Sequence, residues 1–287
     1  MPWLLSSPPE ATSSSSPSQR HCERTAFAFY CAVREQLPVW LLEDMRSMEV
    51  FFWEDGRPRS VSPSDALMYA LVHDHRDYAR FLLAGFSVNA LRTPRCGVCH
   101  GNGSAHLHVA VRYNRRAILG LIVDTLRDLA PEGWRREYLN SCGGCAHGAD
   151  AGKTAVQLAV ELSRGDCLLP LLVHGAQPHG LDAALLRLAG VHGRDHSDAR
   201  HCLELLLLFV SEPVRRLRDE QQRWQRILGK DVFSWLSGQA PPPLLLQALR
   251  TIARCVPGQI PHLPAFLQPH GQVGPDVPLP WKPSETR

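Results

Sequence analysis

The 287-residue sequence predicts an all-α fold made of stacked helical hairpins. Residues 154–176 carry two apolar stripes with a period of about 3.6 residues, which indicates two helices with one apolar side each. The stripes consist of Val156, Ala159, Val160, Leu168, Leu171 and Leu172. Between them Ser163–Gly165 ends the first helix, and Gly175 can adopt the left-handed conformation that ends the second. One hairpin cannot bury its apolar side alone, so neighbours must stack on both flanks.

The same offsets recur along the chain. Two regular units lie upstream, in 65–85 and 105–123, and a less regular unit lies downstream, in 185–210. In the downstream unit we expect a polar insert, Gly190 to Ala199, between the two helices. The positions expected to be buried in the stack are Leu82, Ala110, Ile122, Ala159 and Leu171. An unrelated helical bundle is the alternative, which the shared offsets of three units disfavour.

These units resemble ankyrin repeats, whose pattern opens with Thr-Pro-Leu-His-x-Ala-Ala and closes with Leu-Leu-x-x-Gly-Ala. Thr154 stands at the place of the threonine, and Gly175 at that of the closing glycine. The resemblance implies an all-α ankyrin-repeat solenoid. The equivalent residues Leu67, Leu107 and Val156 are 40 and then 49 residues apart. Because the ankyrin period is about 33 residues, we expect the extra residues in loops between repeats.

The N-terminal region divides into a tail and a helical cap. Residues 1–21 are rich in serine and proline and lack apolar periodicity, which predicts a disordered tail. Residues 22–61 contain two helical patterns that meet at Pro38, followed by the aromatic run Phe51–Trp53. We expect this cap to cover the exposed apolar side of the first repeat, as terminal units of solenoids do. The repeats then occupy 62–210.

The C-terminal region predicts a linker, a short helical element and a tail. Residues 211–240 are first charged and then rich in large apolar side chains, which we expect to pack on the last repeat. Residues 241–270 begin with three prolines and continue with a helix from Leu244 to Cys255. Residues 271–287 are predicted to be a disordered tail.

The helix after the prolines resembles the Elongin-binding element of a SOCS box. The matching residues are Pro243, Leu244, Ala248 and Ile252. Ala248 stands where cysteine is commoner. The next segment resembles the Leu-Pro-rich segment that contacts a cullin, through Leu263, Pro264 and Leu267. Ala265–Phe266 replaces the second proline of that segment, which leaves the cullin undetermined, and a simple cap on the solenoid is the alternative for the whole element.

Composition and charge argue against several classes of function. The net charge is +3, with 31 basic and 28 acidic residues, and no basic run is interleaved with aromatics as in nucleic-acid-binding proteins. The longest apolar run, Leu205–Val210, is far too short to span a membrane. No nucleophile–base order, phosphate loop or carboxylate pair indicates an enzyme. We therefore expect a cytoplasmic, non-enzymatic protein.

Ankyrin repeats followed by a SOCS box form an arrangement of ubiquitin-ligase receptors. The two resemblances thus imply an adaptor that recruits Elongin B/C and a cullin and holds a target on its repeats. Targets should contact the concave face formed by loops and first helices. The residues expected there are Tyr69, His73, Arg112, Tyr113 and Glu161. Similarity to one ankyrin-repeat protein implies inosine monophosphate dehydrogenase as a target, and a non-ligase scaffold for such an enzyme is the alternative function.

Two CxxC pairs in the predicted loops have the spacing of a structural zinc site. The four cysteines are Cys96, Cys99, Cys142 and Cys145, with His100 and His147 as reserve ligands. Four thiolates from two glycine-containing turns can complete a tetrahedron around Zn²⁺. The pairs are separated by 42 residues, which adjacent inter-repeat loops could bridge. Free thiols in two glycine-rich loops are the alternative, and no other cofactor is expected.

Overall fold

The computed structural model describes residues 17–48, 52–54, 57–93, 106–143, 150–192, 194–210, 212–264 and 267. Its α-helices are α1 (Pro17–Arg34), α2 (Val39–Met48), α3 (Pro63–His73), α4 (Arg76–Phe86), α5 (His106–Arg112), α6 (Arg116–Leu129), α7 (Glu132–Asn140), α8 (Ala155–Glu161), α9 (Gly165–Val173), α10 (Leu181–Gly190), α11 (Arg194–Phe209), α12 (Gln221–Leu228), α13 (Lys230–Leu236) and α14 (Leu244–Cys255). Two short strands, β1 (Phe52–Glu54) and β2 (Arg57–Arg59), form an antiparallel hairpin. The predicted all-α class is confirmed. Among the described residues, this hairpin contains the β-strands.

The chain divides into two compact units, Met1–Leu158 and Ala159–Arg287, and the boundary lies inside α8. In the first unit α3 pairs with α4 and α5 with α6. In the second unit α10 and α9 both pack on α11. The five positions predicted to be buried, Leu82, Ala110, Ile122, Ala159 and Leu171, are all inaccessible to solvent. None of the described helices is long and apolar enough to cross a membrane.

The turns inside the first three repeats share one backbone feature. Asp74, Asn114 and Ser163 each follow the first helix of a repeat and adopt the left-handed conformation, with φ of 55°, 55° and 54°. Asp and Asn, and less often Ser, tolerate this conformation because their short polar side chains bond locally. The three residues are 40 and then 49 positions apart, as the sequence register predicts. The register of the three repeats is therefore confirmed at the level of single residues.

Polar side chains join the two repeats of the first unit. The Arg115 guanidinium donates from Nε to the carbonyl oxygen of Leu71 at 3.0 Å and from Nη2 to that of Val72 at 2.7 Å. These carbonyls belong to the last turn of α3, where a helix has no partners of its own for them. Arg115 thus caps the preceding repeat.

A second polar connection is the fully buried His106 at the start of α5. Its Nε2 lies 3.0 Å from the carbonyl oxygen of Ser64, which only accepts, so Nε2 carries the proton and donates. The other ring nitrogen, Nδ1, then accepts from the hydroxyl of Tyr138 at 2.9 Å. One imidazole ring therefore connects α5 with α3 and α7.

The predicted boundary of the N-terminal tail is wrong, because α1 begins at Pro17 rather than after residue 21. Proline is favoured at the first helical position, where no N–H partner is needed. The buried side of α1 consists of Cys22, Ala26, Phe29 and Val33. The helical spacing of this stripe extends the first helix of the cap towards the N-terminus, into the serine-rich segment. The residues after α2, expected only to close the helical pair, form the β-hairpin, in which Phe52 pairs with Arg59.

The connections between repeats also differ from the prediction. Between the second and third repeats, part of the extra chain is helical: it forms α7, which buries Tyr138 and Leu139. The polar insert predicted within the fourth unit is largely absent, because α10 ends at Gly190 and α11 already begins at Arg194. Charged residues start α11 on its exposed side, while the following residues 202–208 are buried all round. This helix is the centre of the second unit.

The segment after α11, predicted as a helical linker that packs on the last repeat, consists of short helices. A 3-10 helix, Arg215–Glu220, precedes α12 and α13. Trp224, Phe233 and Trp235 are buried. The backbone N–H of Val214 donates to the carbonyl of Leu236 at 2.8 Å and closes the segment on itself.

Candidate functional site

The C-terminal helix α14 spans Leu244–Cys255, the bounds that the sequence predicts. It packs against α11 through an inner side formed by Leu246, Leu249 and Ala253, each at most 4% exposed. On the same side, Arg250 Nε donates to the carbonyl oxygen of Leu207 in α11 at 2.8 Å. These contacts fix the rotation of α14 about its axis.

The opposite side of α14 carries an outer stripe, Leu244, Ala248 and Ile252. Leu244 is 82% exposed, Ala248 is exposed and Ile252 is half-buried. Val256 follows at the same spacing and is 51% exposed. The outer stripe contains three of the four residues on which the predicted SOCS-box resemblance rests, and its first two members, Leu244 and Ala248, are exposed rather than packed on α11.

The chain after α14 is held in place by a short 3-10 helix. In the 3-10 helix Pro257–His262, Ile260 is fully buried, and this helix packs on α9. The residues predicted to contact a cullin follow it: Leu263 and Leu267 are half-buried, and Pro264 is exposed. Pro243, before α14, is also half-buried. Ala265–Phe266 lies outside the described residues.

One predicted target-binding residue, Tyr69, is misplaced, because it is only 3% exposed. Its ring lies edge-on to Phe29 and Tyr30 of α1, with centroid distances of 5.8 and 6.0 Å. Burial accordingly raises the pKa of the Tyr69 hydroxyl. The cap helix α1 covers the side of α3 that the sequence pattern left free.

His73, at the end of α3, remains half-buried. Its ring is 5.0 Å from that of Tyr30. Burial lowers the pKa of His73, and the positive charges of Arg34 and Arg115 lower it further. Both effects favour the neutral ring, and its buried Nε2 has no hydrogen-bond partner among the described residues.

Two predicted residues, Arg112 and Tyr113, stand at the turn between α5 and α6 and have different roles. Arg112 binds Asp150 through two hydrogen bonds, one of them from Nε to Oδ2 at 2.7 Å. Asp150 is only 7% exposed, so this pair holds the loop before α8 in place. Tyr113 is 37% exposed with its ring 5.9 Å from the Arg115 guanidinium, and so can contact a partner. Glu161, at the end of α8, is half-buried.

The predicted zinc ligands lie mostly outside the described residues, which include only Cys142. This cysteine is exposed, and its backbone pairs with that of Thr154 just before α8. The following Gly143 donates to the carbonyl of Lys153 at 2.8 Å. The loop that bears the second cysteine pair is therefore anchored at its start. Among the described residues no group of three potential ligands converges.

Neither a protein-family model nor a solved structure matches the chain. A curated protein does: ankyrin repeat domain-containing protein 9 of Mus musculus is 39% identical over 89% of this chain and 92% of its own length. The chain belongs to the ankyrin-repeat family. This membership supports a role in protein interaction, since ankyrin repeats expose extended binding surfaces.

Within this ankyrin-repeat protein, sequence reasoning missed three residues that position the candidate surface. Arg115, His106 and Asp150 all act across 38 to 44 residues of chain. For Arg115 a signal existed, since arginine follows the left-handed turn residue in both the second and third repeats, as Arg115 and Arg164. For His106 and Asp150 the sequence offers none.

Proposed function

We propose that this ankyrin-repeat protein is the substrate receptor of a cullin-RING E3 ubiquitin ligase in the cytoplasm. In this proposal α14 binds Elongin B/C and the segment Leu263–Leu267 helps to recruit the cullin. The repeats hold a target protein, which is then ubiquitinated. Of the predicted target-binding residues in the first unit, Arg112 and Tyr113 are exposed and His73 is half-buried, and these three would form the accessible part of the target surface.

The exposed outer stripe of α14 is the observation that carries the proposal. Its residues are spaced four apart, so they lie along one line of the helix and suit a partner's groove as anchors. The packing of α14 on α11 relies mainly on the inner side, Leu246, Leu249 and Ala253. Leu244, at 82% exposure, contributes almost nothing to that packing. Leu244, an exposed leucine on the side of α14 that Elongin would bind, thus supports the receptor function.

A second candidate is an ankyrin scaffold without ligase activity that binds a metabolic enzyme such as inosine monophosphate dehydrogenase. The packing of α14 on α11 favours it, because Arg250 and the inner leucines close the second unit without any partner. That packing accounts for the inner side of α14. It does not account for the outer stripe.

Leu244→Ala tests the proposal. It removes about three methylene-sized groups from the contact with Elongin, at about 0.8 kcal/mol each, which is about 2.5 kcal/mol or more than a tenfold loss in affinity. We expect Elongin B/C to stop co-purifying with the variant while target binding persists. Because Leu244 is exposed in the free protein, stability should change by less than about 0.5 kcal/mol.

Two control variants make the result specific. Leu186→Ala removes another exposed leucine, 63% accessible on α10, and should leave Elongin binding intact. Leu246→Ala removes a buried one and should lower stability by about 2–5 kcal/mol. If Elongin B/C never co-purifies with the intact chain, or if Leu244→Ala unfolds it, α14 is only a cap and the scaffold function stands.

A further inference from the structure

Lysine is almost absent from the chain, whereas arginine is abundant. Of the 31 basic residues, three are lysines, at positions 153, 230 and 282. Lysine is among the commonest residues of ordinary soluble proteins. The excess of arginine over lysine has a structural explanation only where the fold requires a guanidinium group.

For some arginines the fold does need it. Arg115 donates to two backbone carbonyls at once, and Arg250 combines a carbonyl contact with the face of Trp235 at 5.7 Å. Arg46 binds Glu43 from two nitrogens and also donates to the carbonyl of Val61. Such forked and stacked contacts require the planar group of arginine.

For other exposed arginines the fold gives no such reason. Two exposed pairs with single short contacts are Arg80–Asp77 and Arg136–Glu132, at 2.9 and 2.7 Å. Pairs of this kind contribute little to stability, and lysine makes them as well as arginine on a helix surface. The preference at these places is thus a property of the surface and not of the packing.

We propose that arginine in place of lysine protects this receptor from ubiquitination by its own ligase, and that Lys230 is the main acceptor left in the described residues. The inference rests on the proposed function. A receptor bound to its ligase presents its own surface to the charged E2 enzyme at high effective concentration for as long as it stays bound. A free ε-amine on that surface would compete with the target.

The chemistry separates the two side chains. Ubiquitin is carried as a thioester of its C-terminal carboxyl group on the E2 cysteine. A deprotonated lysine ε-amine attacks the thioester carbon, the isopeptide C–N bond forms and the C–S bond breaks. The cysteine leaves as a thiolate, which takes up the proton that the amine loses. Guanidinium cannot perform this attack, because it stays protonated and its nitrogen lone pairs are delocalised.

The two described lysines differ in access. Lys230 is exposed at the first position of α13, in the same compact unit as α14. Lys153 is half-buried in the anchored loop before α8, and its carbonyl lies 2.8 Å from His108 Nε2. Lys282 lies outside the described residues. In the compact unit that contains α14, Lys230 is therefore the exposed lysine of the described residues.

The test is self-ubiquitination of the full chain, assembled with Elongin B/C, a cullin, a RING protein, E1, E2, ubiquitin and ATP, without a target. Arg223→Lys with Arg226→Lys adds two amines on α12, where both arginines are exposed. Its matched control is Arg223→Gln with Arg226→Gln, which removes the charges and adds no nucleophile. Lys230→Arg removes the proposed acceptor. A lysine-bearing tag fused to the chain reports that the ligase is active.

We expect slow modification of the unaltered chain, with Lys230 as the chief site that mass spectrometry finds among the described residues, and a severalfold slower rate of modification there for Lys230→Arg. The double lysine variant should react about threefold faster, because three exposed amines on α12 and α13 replace one; the glutamine control should not. If the tag is modified but the double lysine variant is no faster than the unaltered chain, the lysine depletion is only compositional and the inference fails alone. If Elongin B/C does not bind, the inference fails together with the proposed function.

Discussion

Lowering the pH from 7 to 5 should destabilise the first unit through His106. The ring is fully buried, and burial lowers the pKa of His106 to about 4, from an ordinary value of 6.5. Between these two values the unfolded chain binds a proton that the folded chain does not. The free energy of unfolding therefore falls as the pH falls below 6.5 and levels off only below 4. Above 6.5 the stabilising contribution of the neutral ring is complete.

The size of the effect follows from the two pKa values. Each unit of pKa difference between the unfolded and the folded chain corresponds to about 1.4 kcal/mol. Because the ring of the unfolded chain gains its proton largely between pH 7 and pH 5, the free energy of unfolding falls by about 2 kcal/mol over this range. The neutral ring is also the form that fits, because Nε2 donates to Ser64 and Nδ1 accepts from Tyr138.

Urea unfolding at both pH values, followed by circular dichroism, measures this difference. The reference is His106→Gln, whose amide can still donate to the Ser64 carbonyl but does not titrate. Other histidines and carboxylates contribute equally to both proteins and cancel in the comparison. The unaltered chain should lose about 2 kcal/mol more than His106→Gln. If both proteins lose stability in parallel, His106 is not neutral by burial and the reasoning is refuted.

Gly143→Ala should lower the melting temperature, because a Cβ there would lie 2.4 Å from the carbonyl oxygen of Asp150; Gly133→Ala in α7, with nothing within 4 Å of the added Cβ, should not. Tyr113→Ala should weaken capture of the target by about 2 kcal/mol without changing the melting temperature, and a large loss of fold would place Tyr113 in the core instead. Cys142→Ser should release zinc, if the purified chain carries about one equivalent that survives dialysis. Metal analysis of the dialysed protein decides this, and a metal-free protein of full stability would remove the zinc site.

The repeat register and the burial of its stripes could be predicted because both depend on local patterns. A helical stripe and a turn residue that tolerates positive φ both lie within about twenty residues of chain, the length of one hairpin. Asp74, Asn114 and Ser163 show that this information is precise to the residue. The bounds of α14 were predictable for the same reason, since prolines precede it and its apolar pattern ends at Cys255.

The candidate target surface was less predictable because exposure depends on distant parts of the chain. Tyr69 is buried by α1, which begins inside a segment of disordered composition. Arg112 is held by Asp150, 38 residues away. Truncating Arg112 would leave a buried carboxylate unpaired, so a variant that loses it reports on folding as well as on binding. Tyr113 alone separates the two effects.

For α14 the apolar pattern could not decide which side faces the protein. Leu244, Leu245 and Leu246 are consecutive, and at about 100° per residue they spread around more than half of the helix. Rotation is decided by the neighbouring helix: the Leu207 carbonyl accepts from Arg250, which turns Leu246 inward and Leu244 outward. Substitutions on the two sides should therefore have separable effects, the inner ones on stability and the outer ones on association. A helix whose only role was to cap the second unit would be insensitive to every change on its outer stripe.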